Sequence, residues 1–277
     1  MKCVNRYLVL IAFLFSTLFA KAQFESEKYD KESFLIGTLS EYMGYQRTFT
    51  NGNNFYYQRV DIMSKQDLKN ALFIDSLFSL DYPDITIVNN GASQGIKIYS
   101  PTLSQKIDDY YNYKPSAIRT GARDTVYAGN LKKEIFETKK QKLSFLLGVY
   151  SRYGIDVGNI HQFFQMFKKE NLFKEDKEYD STTYAILSMP NAPTKARLCE
   201  EFLKELACED VEYIYRKSIP AGNFVIFKPS DEILKIMNEA TRLDKYVETI
   251  NTNHVEFTPN GTKYIWVEPD KPHITNR

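Results

Sequence analysis

Histidine is the side chain most often recruited for acid–base and metal chemistry near neutral pH. The chain has three: His161, His254 and His273. None belongs to a His-Glu-x-x-His pair, in which two imidazoles one helical turn apart hold zinc. His161 falls off the apolar stripe of its segment and reads as a surface residue. His254 and Glu256 are two apart, so a strand would turn both to one face. That is the start of a metal or acid–base pair, but no third ligand stands near them. His273 belongs to the C-terminal tail.

The nucleophile patterns are missing as well. There is no Gly-x-Ser-x-Gly elbow and no penicillin-binding set built on Ser-x-x-Lys. The loop Asn89-Asn90-Gly91-Ala92-Ser93-Gln94-Gly95 follows a strand-like run and could offer backbone N–H groups to an anion. It leads to a second alternating run, Ile96 to Tyr99, and lacks the phosphate-loop spacings. A hairpin between two strands is the expectation.

Two kinds of polar cluster remain. Asp81/Asp84 and Asp108/Asp109 are acidic pairs, which do glycosidase work only where a fold sets them across a cleft. Arg119-Thr120-Gly121-Ala122-Arg123-Asp124 places two arginines around a glycine. Arg119 and Arg123 are therefore the candidate receivers of a carboxylate or phosphate, because a guanidinium can engage either through two parallel hydrogen bonds. The bland reading is a solvated loop whose arginines pair with neighbouring acids.

Cys199 lies on a stripe with Phe202, Leu203 and Leu206, which has helical spacing. Nine further residues of helix would rise about 13.5 Å. Disulfide Cα atoms sit within roughly 7 Å. The spacing therefore predicts a core thiol at Cys199 and a second thiol near the helix end at Cys208. No metal site, catalytic site or cofactor is expected from any of these residues.

The elements that must position such groups are legible in part. Residues 1–22 read as an export signal: Lys2 and Arg6, an apolar run from Tyr7 to Ala20, then Ala20-Lys21-Ala22 as the cleavage site. The run is shorter than the roughly 20 residues needed to cross a bilayer. No later stretch is apolar and long enough to do so, so no transmembrane segment is expected after cleavage. The full chain carries a formal charge of +1, and the signal holds three of its basic residues. Without a basic excess or an arginine-dense stripe, nucleic acid is not an expected partner.

Residues 23–178 read as a mixed α/β N-terminal domain. Its expected helices cover 32–43, 65–80, a segment opened by Ser100-Pro101, a long span from Asn130 to Tyr150, and 157–170. The span from Asn130 combines lysines in its first half with Leu143, Phe145, Leu146 and Val149 in its second. That pattern fits a solvated half and a buried half. Residues 171–181 form a charged junction and the best candidate linker.

Residues 179–270 carry the clearest pattern. It reads strand 182–189, helix 194–207, strands 211–215 and 223–227, a helix from Pro229-Ser230, and strand 254–258. This order, β-α-β-β-α-β, predicts a ferredoxin-like unit. A further strand over 262–267 extends it, and residues 271–277 form a tail. The turn Thr258-Pro259-Asn260-Gly261-Thr262 has two solutions. A two-residue Asn-Gly turn pairs Pro259 with Thr262; the alternative pairs Thr258 with Thr262 and sets Glu256 near Tyr264. The second is expected, because proline has no N–H for the ladder. Asn260-Gly261-Thr262 also matches the glycosylation triplet.

The fold class expected is α+β: a helix-rich mixed N-terminal part, then a ferredoxin-like unit with an extra C-terminal strand. The function expected is that of an exported, periplasmic or extracellular, non-catalytic binding or assembly protein of a bacterial envelope. Its partner would be an envelope protein, a peptide or a wall polymer. Tyr56, Tyr57, Tyr110, Tyr111 and Tyr113 are the candidate contact surface, since tyrosine is enriched at interfaces. The alternative is an exported hydrolase using carboxylates or the arginine patch in an interdomain cleft.

Overall fold

A computed structural model of the protein describes residues 27–41, 44–50, 59–64, 67–89, 95–120, 124–173, 179–250, 252, 255–257 and 264–266. The expected signal over 1–22, the candidate linker's centre and the C-terminal tail lie outside these residues. Helices and small antiparallel sheets are both present, so the protein is mixed α+β.

The contacts divide the chain into two units. The first combines Phe55–Asp109 with Leu243–Arg277 and the N-terminal Met1–Lys28. The second combines Tyr29–Asn54 with Tyr110–Arg242 and therefore runs across the boundary expected at 178/179.

In the first unit, strands β2 (Arg59–Met63), β3 (Thr86–Asn89) and β4 (Ile96–Tyr99) form an antiparallel sheet in the order β2-β4-β3. The register Thr86↔Tyr99 to Asn89↔Ile96 makes β3 and β4 the expected hairpin partners. Helices α2 (Leu68–Phe78) and α3 (Pro101–Asp108) pack on this sheet. The start of α3 follows from Ser100-Pro101. Ser100 Oγ accepts from the Leu103 N–H at 3.1 Å, and proline needs no partner in the first turn. Among the described residues, strands β10 (Val255–Phe257) and β11 (Tyr264–Trp266) pair with each other as a separate two-stranded sheet. Their register is Val255↔Trp266, Glu256↔Ile265 and Phe257↔Tyr264. It is displaced by one residue from the expected pairing of Glu256 with Tyr264 and corresponds to the two-residue alternative.

The second unit is built on two three-stranded sheets. One has the order β1-β6-β5, from β1 (Tyr45–Thr50), β5 (Tyr111–Thr120) and β6 (Asp124–Leu131). The other has the order β7-β9-β8, from β7 (Ala185–Ser188), β8 (Glu209–Arg216) and β9 (Gly222–Lys228). Around them lie α1 (Lys31–Thr38), α4 (Lys139–Tyr153), α5 (Val157–Lys169), α6 (Pro193–Glu205) and the part of α7 (Asp231–Thr249) up to Arg242.

The chain order β7-α6-β8-β9 gives the first part of the expected ferredoxin-like pattern. Such a fold needs a fourth strand beside β7. At that edge the described neighbours are Gly154, bridged to Leu187, and Ile155, whose N–H donates to the Ile186 carbonyl at 3.0 Å. β10, the strand expected there, is paired with β11.

The core of the second unit follows from periodicity. β9 is buried along its middle five residues, Asn223 to Phe227, so both of its faces are covered. Phe224 and Ile226 point to one face, where they meet Ile160, Phe164 and Phe167 of α5 with Ile186 and Ile214. A second cluster joins Phe136, Phe145 of α4 and Phe202 of α6, with ring centroids 4.9 to 5.7 Å apart.

The long helix expected from Asn130 is corrected. β6 runs through Leu131, a 3₁₀ turn covers Lys133–Ile135, and α4 starts only at Lys139. Thr138 sets that start. Its Oγ1 accepts from the Gln141 N–H, and Gln141 Oε1 accepts from the Thr138 N–H at 2.9 Å. The lysines of this stretch face acids: Lys133 pairs with Glu201 at 2.6 Å, and Lys139 with Glu232 at 2.7 Å.

α1 and α4 cross with almost no side chain between them. A Cβ on Gly148 would stand 2.0 Å from the Phe34 carbonyl oxygen, and one on Gly37 would stand 2.2 Å from that of Phe145. Only glycine permits so close an approach. The same contact brings Ser144 Oγ to the Asp30 N–H at 2.8 Å.

Candidate functional site

A cleft of about 360 Å³ opens in the second unit. Its wall is made where several elements end together. Asn130 comes from the end of β6, and Gly44 precedes β1. Asn191, Ala192, Pro193 and Thr194 come from the β7–α6 turn and the start of α6. Tyr215 near the end of β8 and Ala221 and Asn223 at the start of β9 close the other side.

The β7–α6 turn is fixed by Asn191. It holds φ 51, a left-handed conformation that asparagine tolerates better than most residues. Its N–H donates to the Ala221 carbonyl at 2.7 Å, and its Oδ1 accepts from the Ala221 N–H at 2.9 Å. The β7–β9 edges are thus tied at the cleft. Pro193 then opens α6, as a first-turn proline does. Ala192, which precedes it, provides no side-chain cap. Thr194 sits inside the helix and donates from Oγ1 to Asn130 Oδ1 at 3.2 Å. Asn223 is committed at both ends: Oδ1 accepts from Tyr213 at 2.7 Å, and Nδ2 donates to the Met189 carbonyl at 3.2 Å.

The residue after Thr194 turns inward. Lys195 is fully buried. Its ammonium donates to the carbonyls of Ile36 at 2.9 Å, Gly37 at 3.0 Å and Leu39 at 2.7 Å. These are carbonyls at the C-terminal end of α1, where the helix leaves acceptors without internal partners and the dipole favours a cation. Three donors meet three acceptors. Arg152 adds a bond to the Thr38 carbonyl, and Tyr153 donates to that of Leu39 at 2.9 Å. Glu41, only 1% exposed, lies 3.5 Å from Lys195 and accepts from the Tyr111 hydroxyl at 2.8 Å. It lines the cleft, but it is ion-paired with buried Lys195.

The residues singled out from sequence fall elsewhere. Arg119 lies on β5 opposite Thr125. Arg123, Tyr56 and Tyr57 lie outside the described residues, as do His254 and His273. Tyr110 and Tyr111 are buried, 6% and 2% exposed, and so belong to the core and not to an exposed contact face. Tyr110 donates to Glu32 at 3.1 Å; Tyr111 stacks on Tyr45 at 4.7 Å. Tyr113, half-buried, lies 6.2 Å from the Tyr111 ring. Gly129 opposite leaves space for both rings, since a Cβ there would sit 2.8 Å from Tyr113 Cε1. Burial, followed by the neighbouring Glu41 charge, pushes the Tyr111 hydroxyl well above its ordinary pKa.

The acidic groups are occupied structurally. Burial opposes ionisation of Asp84. Hydrogen bonds from the Thr102 N–H at 3.0 Å and from the Thr102 and Ser100 hydroxyls outweigh it and hold the carboxyl below the usual range. Asp84 is therefore a clamp on the start of α3. Cys199 and Cys208 are free thiols. Burial raises the thiol pKa at both, so neither has the depressed pKa of a reactive thiolate. Among the described residues no group of three metal-ligating side chains converges, and no helix is long and apolar enough to cross a membrane.

Only the buried lysine behind the cleft wall was within reach of the sequence. Lys195, Cys199, Phe202 and Leu206 share one helical stripe. A lysine inside an apolar stripe marks either a helix end or a buried cation. Asn130, Asn191 and Tyr215 had no such signal, because they come from two different sheets and a turn that only the tertiary fold brings together. Compared with protein families, with curated proteins and with solved structures, the chain shows no match.

Proposed function

We propose that the protein is an exported, non-catalytic binding protein of a bacterial envelope, and that the cleft of the second unit is its ligand seat. The observation that carries this reading is the composition of the cleft wall. It offers amide groups, a threonine hydroxyl and a tyrosine ring that is 53% exposed. Its carboxylate, Glu41, is held by Tyr111 beside Lys195. Moving a proton on or off Glu41 would unbalance a buried ion pair, which is costly. Such a wall orients a ligand and leaves its bonds alone. The export half of the reading rests on Lys2, Arg6, the apolar run to Ala20 and the Ala20-Lys21-Ala22 site. An envelope protein, a peptide or a wall polymer is the class of partner such a protein meets.

The test is site-specific photocrosslinking in the native host. A photoreactive residue at position 215 should capture one dominant envelope component, and the same probe at exposed position 235 should not. Equal capture at both positions, or none at 215 with abundant intact protein, would count against the cleft as the seat. Recovery of the chain in the cytosol with residues 1–22 attached would remove the envelope assignment.

A further inference from the structure

The chemistry of the cleft narrows its ligand to one class, provided that the cleft is a binding seat. We propose that it holds a neutral saccharide bearing an acetamido group.

The donors come first. Asn130 and Asn191 each use the side-chain oxygen internally, on Thr194 Oγ1 and on the Ala221 N–H. The Ala221 N–H can only donate, so it fixes the Asn191 amide with its oxygen inward; the Thr194 hydroxyl can donate or accept, so the Asn130 amide is placed by that one bond alone. Each NH₂ group is left with no hydrogen bond among the described residues. The cleft therefore presents one oriented donor, on Asn191, with the Asn130 amide beside it, and asks for an acceptor. A carbonyl oxygen is a good acceptor for such groups.

Charge comes second. No cationic side chain lines the wall, and Glu41 is matched by buried Lys195. An anionic ligand finds no counter-charge at the surface, and a cationic one finds no accessible carboxylate. Neutrality is the remaining option.

Shape comes third. Tyr215 offers a large part of an uncommitted ring, whose face is electron-rich and attracts the C–H side of a sugar. Ala192, Pro193 and Ala221 are small apolar surfaces that suit an acetamido methyl group. The volume of 360 Å³ is at the small end for a ligand site and suits about one or two sugar rings. A peptide is less well served. It would look for a straight strand edge or an apolar side-chain socket. The wall has no large aliphatic socket, and β8 contributes only Tyr215 to it, so a triglycine amide titration tests the peptide directly.

The experiment titrates the whole protein with N,N′-diacetylchitobiose, maltose, triglycine amide and inorganic phosphate, read by calorimetry and saturation-transfer NMR. The N-acetylated disaccharide should bind, with the strongest transfer at its acetamido methyls and at least tenfold tighter than maltose. Asn130→Asp and Asn191→Asp keep the internal acceptor and remove the outward donor. Each should weaken binding at least tenfold, as should Tyr215→Ala. Tyr215 is exposed, so its variant stays informative should either aspartate variant unfold. Absence of binding by the N-acetylated disaccharide overturns the inference. So does tighter binding of maltose, triglycine amide or phosphate, and so does unchanged affinity in the folded variants. Position-specific capture at 215 together with a failed sugar titration would leave the binding function standing and remove only the ligand class.

Discussion

Replacing Lys195 with methionine tests the account of how the cleft's helix is anchored. Methionine keeps the length and the apolar stem and removes the ammonium. Of the three carbonyls that Lys195 serves, Leu39 O keeps the Tyr153 hydroxyl, while those of Ile36 and Gly37 lose their side-chain donor. A buried polar group without a partner costs about 1–3 kcal/mol. Two such groups sum to roughly 2–6 kcal/mol, and Glu41 also loses its counter-charge. The range agrees with the roughly 3–5 kcal/mol typical of breaking a buried ion pair from one side. About 4 kcal/mol is the expected loss. For a unit of this size that lowers the midpoint by about 8–16 °C. The assay is urea unfolding followed by far-UV circular dichroism, with amide hydrogen exchange at Leu39, whose N–H bonds the Leu35 carbonyl. The control is Lys204→Met, which removes an exposed ion pair with Glu200 and should cost about 1 kcal/mol or less. The double variant Lys195→Met/Glu41→Gln should recover part of the loss, because it removes the stranded charge. A Lys195→Met variant within 1 kcal/mol of the parent, with unchanged exchange at Leu39, would refute the reasoning.

Three further outcomes are expected from the same structure. Gly148→Ala should destabilise by about 2 kcal/mol, because overpacking at 2.0 Å from the Phe34 carbonyl outweighs the roughly 1 kcal/mol of helix propensity that alanine adds; a gain in thermal midpoint would show that the helices separate freely. Asp75 is 5% exposed on α2, and burial pushes its carboxyl up from 3.8 to about 7. The folded state therefore binds its proton more tightly than the unfolded state, so this contribution is fully present below about pH 4 and lost as pH rises through about 7. Asp75→Asn should match the parent near pH 4 and exceed it by up to about 4 kcal/mol at pH 8, and parallel stability curves for the two would refute the assignment. Asp84→Ala removes the acceptor for Ser100 and Thr102 at the start of α3 and should cost about 1–2 kcal/mol by chemical denaturation. No loss would mean that Ser100 caps the helix unaided.

The parts of the fold that were legible are those whose burial pattern is local. α5 and α6 each bury one face, so the 3.6-residue period is written into their own residues; α2 is buried on most sides and was legible from its apolar run. β7, β8 and β9 were legible for the same reason, since short apolar runs between turn residues already specify strands. The β5–β6 hairpin was not. β5 carries Asn112, Lys114 and Pro115, and its pairing is irregular between Pro115 and Arg119. An edge strand of this kind tolerates proline because one side of its ladder is unused. Its strand character comes from pairing with β6, and no local period records that. The late start of α4 had a local signal, the Thr138–Gln141 box, but the lysine-rich stretch before it reads equally as the solvated half of a longer helix. Leu131 and Phe136 are buried by β-pairing and by an aromatic cluster, not by a helix face.

The cleft shows the limit more sharply. Its useful groups are defined by which of their atoms are already spent. Asn223 and Asn191 are the same residue type, and both border the cleft. Asn223 is bonded at both ends to Tyr213 and Met189 and serves only as wall; Asn191 spends its oxygen on Ala221 and keeps its donors. Sequence gives the inventory of donors and acceptors but not the pairing that subtracts from it. The same subtraction moves Asp84 from an acidic-pair candidate to a structural clamp, since its carboxylate meets donors from Ser100 and Thr102. A reading of function from this sequence therefore depends on long-range pairing, and the Asn130→Asp and Asn191→Asp variants probe that dependence directly. Each keeps an oxygen at the spent position, replaces the unspent donor with an acceptor and adds one negative charge, so a change in ligand affinity without a change in stability separates the two roles of one side chain.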